Sequence, residues 1–387
     1  MGLLSRKRLI LIESESTYGT DPVPDGSDAV MVRDLNITPL SADVVSRDLV
    51  RPYLGSSEQL LANTRAEVTF SVELAGSGTA GTAPRYGRAL QACGFAITNV
   101  TPAVTGTATA GGVNSITLAA AASAVNGFYT GMILRITGGT GAGTVALITN
   151  YVGATKVATL RPLTGSVTPS ATSVYSIDAQ NFYTPVSASF SSVTIYYNID
   201  GVLHRLTGCR GTFTINAEVG AIPTIDFTMT GIFNPVTDTA APAAIYGAQA
   251  TPLIFRQGNS GGFNLMGHSG CLQTTSFDIG NTIAYRELVG CVKEVLITDR
   301  AVTGSATIEA PTMAERNFFN DALSDGTLGD YSFIHGSTAG NIVAVYSTRA
   351  DIGSPSYADQ DGVHMLTIPT TLTPSTAGND ELRLVYA

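Results

Sequence analysis

Tryptophan is absent from the 387 residues, and charged side chains are only 13% of them, about half the density of an ordinary soluble domain. A chain so sparingly charged has little reason to stay a lone, well-solvated monomer. Much of its surface is expected to be covered by copies of itself. The 21 Lys and Arg are outnumbered by 30 Asp and Glu, giving a net charge of −9 and a pI near 4.9. Tight nucleic-acid binding needs clustered Lys and Arg on phosphates, so that class is excluded. No apolar run approaches the about 20 residues that cross a membrane. Arg6-Lys7-Arg8 precedes Leu9-Ile10-Leu11-Ile12, but Glu13 and Glu15 follow with no small-residue cleavage site, so the run reads as a strand and not a signal peptide. Cys93, Cys209, Cys271 and Cys291 are far apart with no C-x-x-C, which removes zinc ribbons and redox pairs and favours reduced thiols. His204, His268, His335 and His364 are isolated, and Asp359-Gln360-Asp361-Gly362 reads as a turn, so no metal or cofactor is expected.

What is plentiful is Gly (41), Pro (17) and long stretches rich in Thr, Ser, Val and Ile, a mixture that favours strands and turns. The length predicts two to three domains. Three strands show the alternation of a sheet with one core face. In Arg65 to Leu74, Ala66, Val68, Phe70, Val72 and Leu74 share a face; in Gly211 to Val219, Phe213, Ile215, Ala217 and Val219 do; in Thr224 to Thr230, Ile225, Phe227 and Met229 do. The opposite faces are polar and weakly acidic.

The region 101–180 changes character. It is poor in charge, rich in Thr, Ala and Gly, and carries short apolar runs at 115–118, 132–136, 144–148, 156–160 and 174–177, which predict a small all-β domain. The flanks read as two copies of one design. Leu9-Ile10-Leu11-Ile12 opens the first and Leu253-Ile254-Phe255 the second. Arg47-Asp48-Leu49-Val50 is answered by Arg286-Glu287-Leu288-Val289, and Arg65-Ala66 by Arg300-Ala301. Each copy reaches Ala-Pro (Ala83-Pro84, Ala310-Pro311) and then a helix. The first helix has Tyr86, Ala89, Leu90 and Cys93 on one face; the second has Thr312 and Glu315 at capping-box spacing and Phe318, Phe319, Ala322 and Leu323 near its end. Both helices lead to strands: 193–198, 211–219 and 224–230 in the first copy, 331–335, 342–346 and 365–368 in the second. The expected domains are 1–100 with 181–235, the insert 101–180, and 236–387.

Two motifs point toward enzymes. Gly76-Ser77-Gly78-Thr79-Ala80-Gly81 matches G-x-G-x-x-G, but residues 95 to 105 hold no acidic residue for a ribose, and the surroundings are all β. Gly258-Asn259-Ser260-Gly261-Gly262 matches G-x-S-x-G without a following helix. Both read as loops, and no catalytic residue is assigned.

The segments Leu206-Thr207-Gly208-Cys209-Arg210-Gly211-Thr212-Phe213-Thr214-Ile215 and Pro223-Thr224-Ile225-Asp226-Phe227-Thr228-Met229-Thr230-Gly231, with the opening Glu15-Ser16-Thr17-Tyr18-Gly19-Thr20, resemble the tail tube proteins of long-tailed, non-contractile phages. Gly141-Ala142-Gly143 and Thr155-Lys156-Val157-Ala158-Thr159 resemble a small β-module inserted in many phage structural proteins. The resemblance implies a mainly β fold of two tandem tube-type sandwich or barrel modules, each with a flanking helix, plus the inserted all-β domain on the tube exterior. It implies a non-enzymatic virion protein, assembled in the host cytoplasm, whose rings stack into the tail tube used in genome ejection. A two-module chain implies trimers with pseudo-sixfold symmetry rather than hexamers. The implied partners are copies of itself and the terminator, tape-measure and distal tail proteins, with DNA passing unbound and no membrane contact. Three copies at −9 carry −27, which repels phosphate. Glu67, Glu73, Glu218, Asp226 and Glu309, on polar strand faces, are the lumen candidates. The competing class is a secreted or surface β-domain such as an adhesin, which wants a signal peptide and disulfides; a hydrolase on a β scaffold and a head-decoration or fibre protein are further alternatives. An insert tethered only by loops is expected to be removable, from Thr101 to Asp178, without loss of assembly.

Overall fold

A computed structural model describes residues 2–47, 49–100, 103–324 and 326–387. Met1, Asp48 of the first Arg-Asp-Leu-Val signature, and Thr101, where the insert is expected to begin, lie outside the described residues. The chain is mainly β. Its opening part contains β1 (Arg8–Ser14), β2 (Arg33–Ser46), β3 (Gln59–Glu73), α1 (Gly87–Ala92) and β4 (Phe95–Val100). The middle segment contains β5 (Val104–Thr107), β6 (Ala110–Gly112), β7 (Ser115–Thr117), β8 (Ile133–Gly138), β9 (Val145–Val152), β10 (Val157–Pro162) and β11 (Val174–Ile177), a separate sheet in the order β5-β11-β8-β9-β10-β7-β6. The chain returns through β12 (Gln180–Pro185), β13 (Val193–Ile199), β14 (Val202–Glu218), β15 (Thr224–Phe233) and β16 (Thr237–Asp238). The last part holds β17 (Ser260–Leu265), β18 (Leu272–Asp278), β19 (Asn281–Arg286), β20 (Glu294–Arg300), β21 (Thr303–Glu309), α2 (Phe318–Leu323), β22 (Gly329–His335), β23 (Val343–Ile352), β24 (Ser356–Gln360), β25 (Val363–Leu372) and β26 (Arg383–Tyr386).

Antiparallel pairing orders the earlier strands β1-β13-β14-β15-β3-β2. It orders the later ones β17-β22-β23-β25-β21-β18. The period-2 alternation decides which side chains meet. Ala66, Val68, Phe70 and Val72 turn inward with Phe213, Ile215, Ile225 and Phe227, all at most 2% exposed, and the Phe70 and Phe227 rings stack at 5.1 Å. Tyr86, Ala89, Leu90 and Cys93 of the α1 region are fully buried, and the Tyr86 hydroxyl donates to the Ala75 carbonyl at 2.7 Å.

Two local expectations are corrected. Leu253-Ile254-Phe255 is not a strand: only Phe255 is buried, and its backbone closes a loop contact with Gly220 and Ala221, so the first strand of the later group is β17. Thr312 and Glu315 do bond reciprocally, but they close only a turn; α2 starts at Phe318, where the Asn317 side chain accepts from Asn320 N–H.

The middle segment does not hang free on its linkers. Val343, Val345, Leu384 and Tyr386 face the main core, while their neighbours Ala344, Tyr346, Val385 and Ala387 belong to the core of the middle segment, with Ile334 and Phe182. The sheet β22-β23-β26-β12 is therefore buried on both faces. That is why Ile342 to Tyr346 reads as an unbroken apolar run rather than an alternation. Polar contacts seal the seam. Gln180 exchanges two bonds with the Ile133 backbone (2.8 and 2.7 Å), Arg383 donates to the Thr130 carbonyl at 2.7 Å, and Arg161 pairs with Asp330.

Candidate functional site: a polar sheet face with open edges

The long strand β14 changes neighbour along its length. Residues 193–199 of β13 flank its first part; a bulge between Thr207 and Arg210 turns it, and Thr214–Glu218 then pair with Asp278–Thr274 of β18. Hydrogen bonds from Ile279 N–H to the Phe213 carbonyl (3.2 Å) and from Val219 N–H to the Gln273 carbonyl (3.0 Å) close that ladder at its ends. One sheet thus runs β2-β3-β15-β14-β18-β21-β25-β24 across both strand groups.

Directly opposed residues share a face, so the register places every sequence-derived candidate. Glu67 lies opposite Thr230, Glu73 opposite Thr224, and Asp226 between Ser71 and Thr214. Glu218 lies opposite Thr274, which continues to Thr307 and, two residues on, to Glu309. All five carboxylates occupy the face opposite the phenylalanine core. Glu218 and Glu309 are exposed; the other three are half-buried. Asp226 accepts from Asn216 Nδ2 at 2.7 Å, and Glu67 pairs with Arg65 at 3.4 Å. Asp278, opposite Thr214 and Thr303, and Asp351, opposite Thr371, lie on the same face and escaped the sequence reading. Asp278 ends a Thr274, Ser276, Asp278 alternation that could have revealed it. Arg33, opposite Ser71, and Arg65, paired with Glu67, are basic residues on this surface.

The motif Glu15 to Thr20 holds the bulge of β14. Glu15 accepts four hydrogen bonds, from Gly208 N–H, Thr194 Oγ1, Ser192 Oγ and Gly19 N–H, at 2.6–2.7 Å. Tyr18 donates to the Gly208 carbonyl (3.1 Å) and accepts from Val295 N–H (2.6 Å); burial pushes its phenol up to about 12. Gly208 sits at φ +61°, and a Cβ there would lie 2.7 Å from the Tyr18 hydroxyl, so glycine is required. Arg210 stacks over the Tyr18 ring at 4.7 Å and donates to the Val295 carbonyl at 2.8 Å. Together they seat the β19–β20 hairpin against β14, β15 and β3. The sequence flagged these motifs as family signatures; their joint role required the fold.

Neither enzyme-like motif forms a reactive cleft. The Gly76 to Gly81 loop abuts a second loop backbone to backbone, Gly78 N–H donating to the Gly340 carbonyl at 2.9 Å. In the other, a Cβ on Gly261 would lie 1.9 Å from the Leu163 carbonyl of the middle segment, so the glycine permits that approach. Ser260 Oγ is 2.7 Å from His335 Nδ1, a cross-strand pair between β17 and β22. His335 is 2% exposed, and burial lowers its pKa to about 4, keeping the ring neutral. The four cysteines are free, two buried and two exposed. Among the described residues no three His, Cys, Asp or Glu side chains converge as a metal ligand set, and no helix is long and apolar enough to cross a membrane.

No curated protein matches the sequence. A family model described as phage tail tube protein matches residues 5–371, nearly the whole chain. The chain therefore belongs to the phage tail tube protein family, a structural component of the virion tail.

Proposed function

We propose that this chain is two tandem copies of one tube module and that three chains close into a six-module ring. Stacked rings form the hollow tail tube through which DNA leaves, and the protein carries no catalytic site. The observation that carries this reading is the β14–β18 ladder. It joins the two strand groups edge to edge and leaves the outer edges of β2 and β24 without a strand partner among the described residues. Unpaired edges are templates for pairing, and a head-to-tail contact closes into a ring when its rotation permits.

The tandem reading is supported by the matching strand orders and by a shared register. Val68-Thr69-Phe70-Ser71 and Val302-Thr303-Gly304-Ser305 occupy corresponding positions; Thr69 faces Thr228 as Thr303 faces Thr371. The modules are 1–100 with 181–235, and 236–387, each with its short helix; 101–180 is the insert. With the acidic face inward, phosphate is repelled and DNA passes without sticking. The insert, on the opposite side of the sheet β22-β23-β26 from the main core, lies on the tube exterior.

Negative-stain microscopy at rising concentration, with the ring mass measured in parallel, tests the proposal. Six-lobed hollow rings of about 120 kDa, three times the 40.1 kDa chain, are expected. A monomer at every concentration overturns it, and six-chain rings overturn the tandem reading.

A further inference from the structure

We propose that the contact between chains repeats the junction inside the chain, residue for residue: the β24 edge of one copy pairs with the β2 edge of a second copy, and the second copy's β2–β3 hairpin docks beside it. This rests on the ring reading above and adds which surfaces meet and in what register.

The register follows from the pairings. Asn216 and Ser356 hold equivalent places, opposite Thr224 of β15 and Thr367 of β25. Ser276 and Arg33 likewise lie opposite Ser305 of β21 and Ser71 of β3. Inside the chain Asn216 faces Ser276. Between copies Ser356 therefore faces Arg33, and Tyr357 faces Val32. The closing bonds of the internal ladder put the hydrogen-bonded pairs at Ala217–Thr275, so Tyr357 and Val32 exchange backbone bonds while Ser356 and Arg33 form the adjacent, closer-set pair. Both strands are available: β24 is exposed along its whole length and Tyr357 is 54% exposed.

A second observation agrees independently. The hairpin β19–β20 and the distal part of β2–β3 each carry an ion pair at the tip, Arg286 with Glu294 and Arg47 with Glu58. Below it, Ile283 faces Ile297 and Ala284 faces Leu296, as Val44 faces Leu61 and Val45 faces Leu60. Ile297 is 9% exposed because its hairpin rests on the earlier module; Leu61, in the matching place, is 54% exposed, and Val44, Val45 and Leu60 are 49–55% exposed. Four adjacent half-exposed aliphatic side chains on a β ribbon call for a cover. The receiving arginine has a counterpart too. Arg349 precedes Ala350 as Arg210 precedes Gly211, and those two face Leu372 and Met229. Arg349 thus holds the place from which Arg210 Nη1 donates to the docked hairpin. In a three-chain ring the next copy's hairpin offers the Arg349 guanidinium the backbone acceptor that Val295 offers Arg210.

The test is a cysteine pair, Ser356→Cys with Arg33→Cys, in full-length protein carrying Cys271→Ser and Cys291→Ser. Under oxidation at ring-forming concentration, a covalent ladder ending at three chains is expected on non-reducing electrophoresis. The offset pair Tyr357→Cys with Arg33→Cys points to opposite faces and should stay uncross-linked. Rings seen by microscopy in which the in-register pair does not cross-link overturn the inference while leaving the ring reading intact. Absence of both rings and cross-links overturns the ring reading itself. Unsubstituted protein gives a second readout. Amide exchange at Val32 and Tyr357 should slow about tenfold or more on assembly; unchanged exchange in assembled rings also overturns the inference.

Discussion

Removing the insert should destabilise the chain rather than leave it intact. Excising residues 103–178 behind a short Gly-Ser linker uncovers one face of the sheet formed by β12, β22, β23 and β26. Ile334, Ile342 and Val385 are fully buried there and Tyr346 is 6% exposed, all in contact with the core of the insert. Returning a large apolar side chain to water costs about 1.5–3 kcal/mol, so these four together cost about 6–12 kcal/mol. That is of the same order as the net stability of a typical domain, about 5–15 kcal/mol. The deletion also strips Asp330 of Arg161 and leaves Arg383 without the Thr130 carbonyl. Loop-entropy reasoning alone predicts a neutral excision, because it counts the linkers and not the covered face. The assay is the soluble fraction after expression, followed by thermal unfolding monitored by circular dichroism. The plain deletion should aggregate. The same deletion with Ile334→Thr, Tyr346→Thr and Val385→Thr should regain solubility, since threonine keeps the strand preference and removes the apolar patch. A plain deletion that is soluble, monodisperse and melts with the full-length chain would refute the shared-core reasoning.

Three other outcomes follow from particular groups. Glu15→Ala leaves four converging donors without their charged acceptor and should lower stability by about 2 kcal/mol or more in urea titration, with Glu15→Gln recovering part of it. His335 has its pKa lowered by burial to about 4 against an ordinary 6.5, so its contribution is fully present above pH 6.5 and is lost as pH falls toward 4. The shift corresponds to about 3 kcal/mol; because burial lowers His204 and His268 as well, the measurement is the difference in pH-dependent unfolding between the native chain and His335→Asn, which should show a flatter decline. Finally, Asp226→Lys with Glu73→Lys should leave ring formation intact but make assembled tubes retain short DNA in co-sedimentation at low salt, with retention lost as salt rises. Equal retention by both proteins would show that this face does not line the channel.

Much of the sheet was legible because burial on one face writes itself as alternation. Arg65 to Leu74 and Thr224 to Thr230 reveal both their inward phenylalanines and their outward carboxylates, and all five candidate acids do share one face. Asp278 and Asp351 join them only once the register is known, since a lone aspartate in a strand carries no mark of which neighbours flank it. Leu253 to Phe255 misled because a short apolar run looks the same whether it pairs as a strand or packs one ring into a loop.

By itself the amino-acid sequence determined the class of the molecule. Low charge, abundant β-branched residues and short apolar runs between turn signals specify a β-rich protein with a separate middle sheet, because these depend on local periodicity and composition. Tertiary structure alone decided where that middle sheet rests, which edge of β14 meets β18, and that the β19–β20 hairpin is covered while Val44, Val45, Leu60 and Leu61 of the β2–β3 ribbon are left open. Those outcomes depend on contacts between residues far apart in the chain. A side chain's own sequence neighbourhood records its polarity, but not the surface that will come to lie against it.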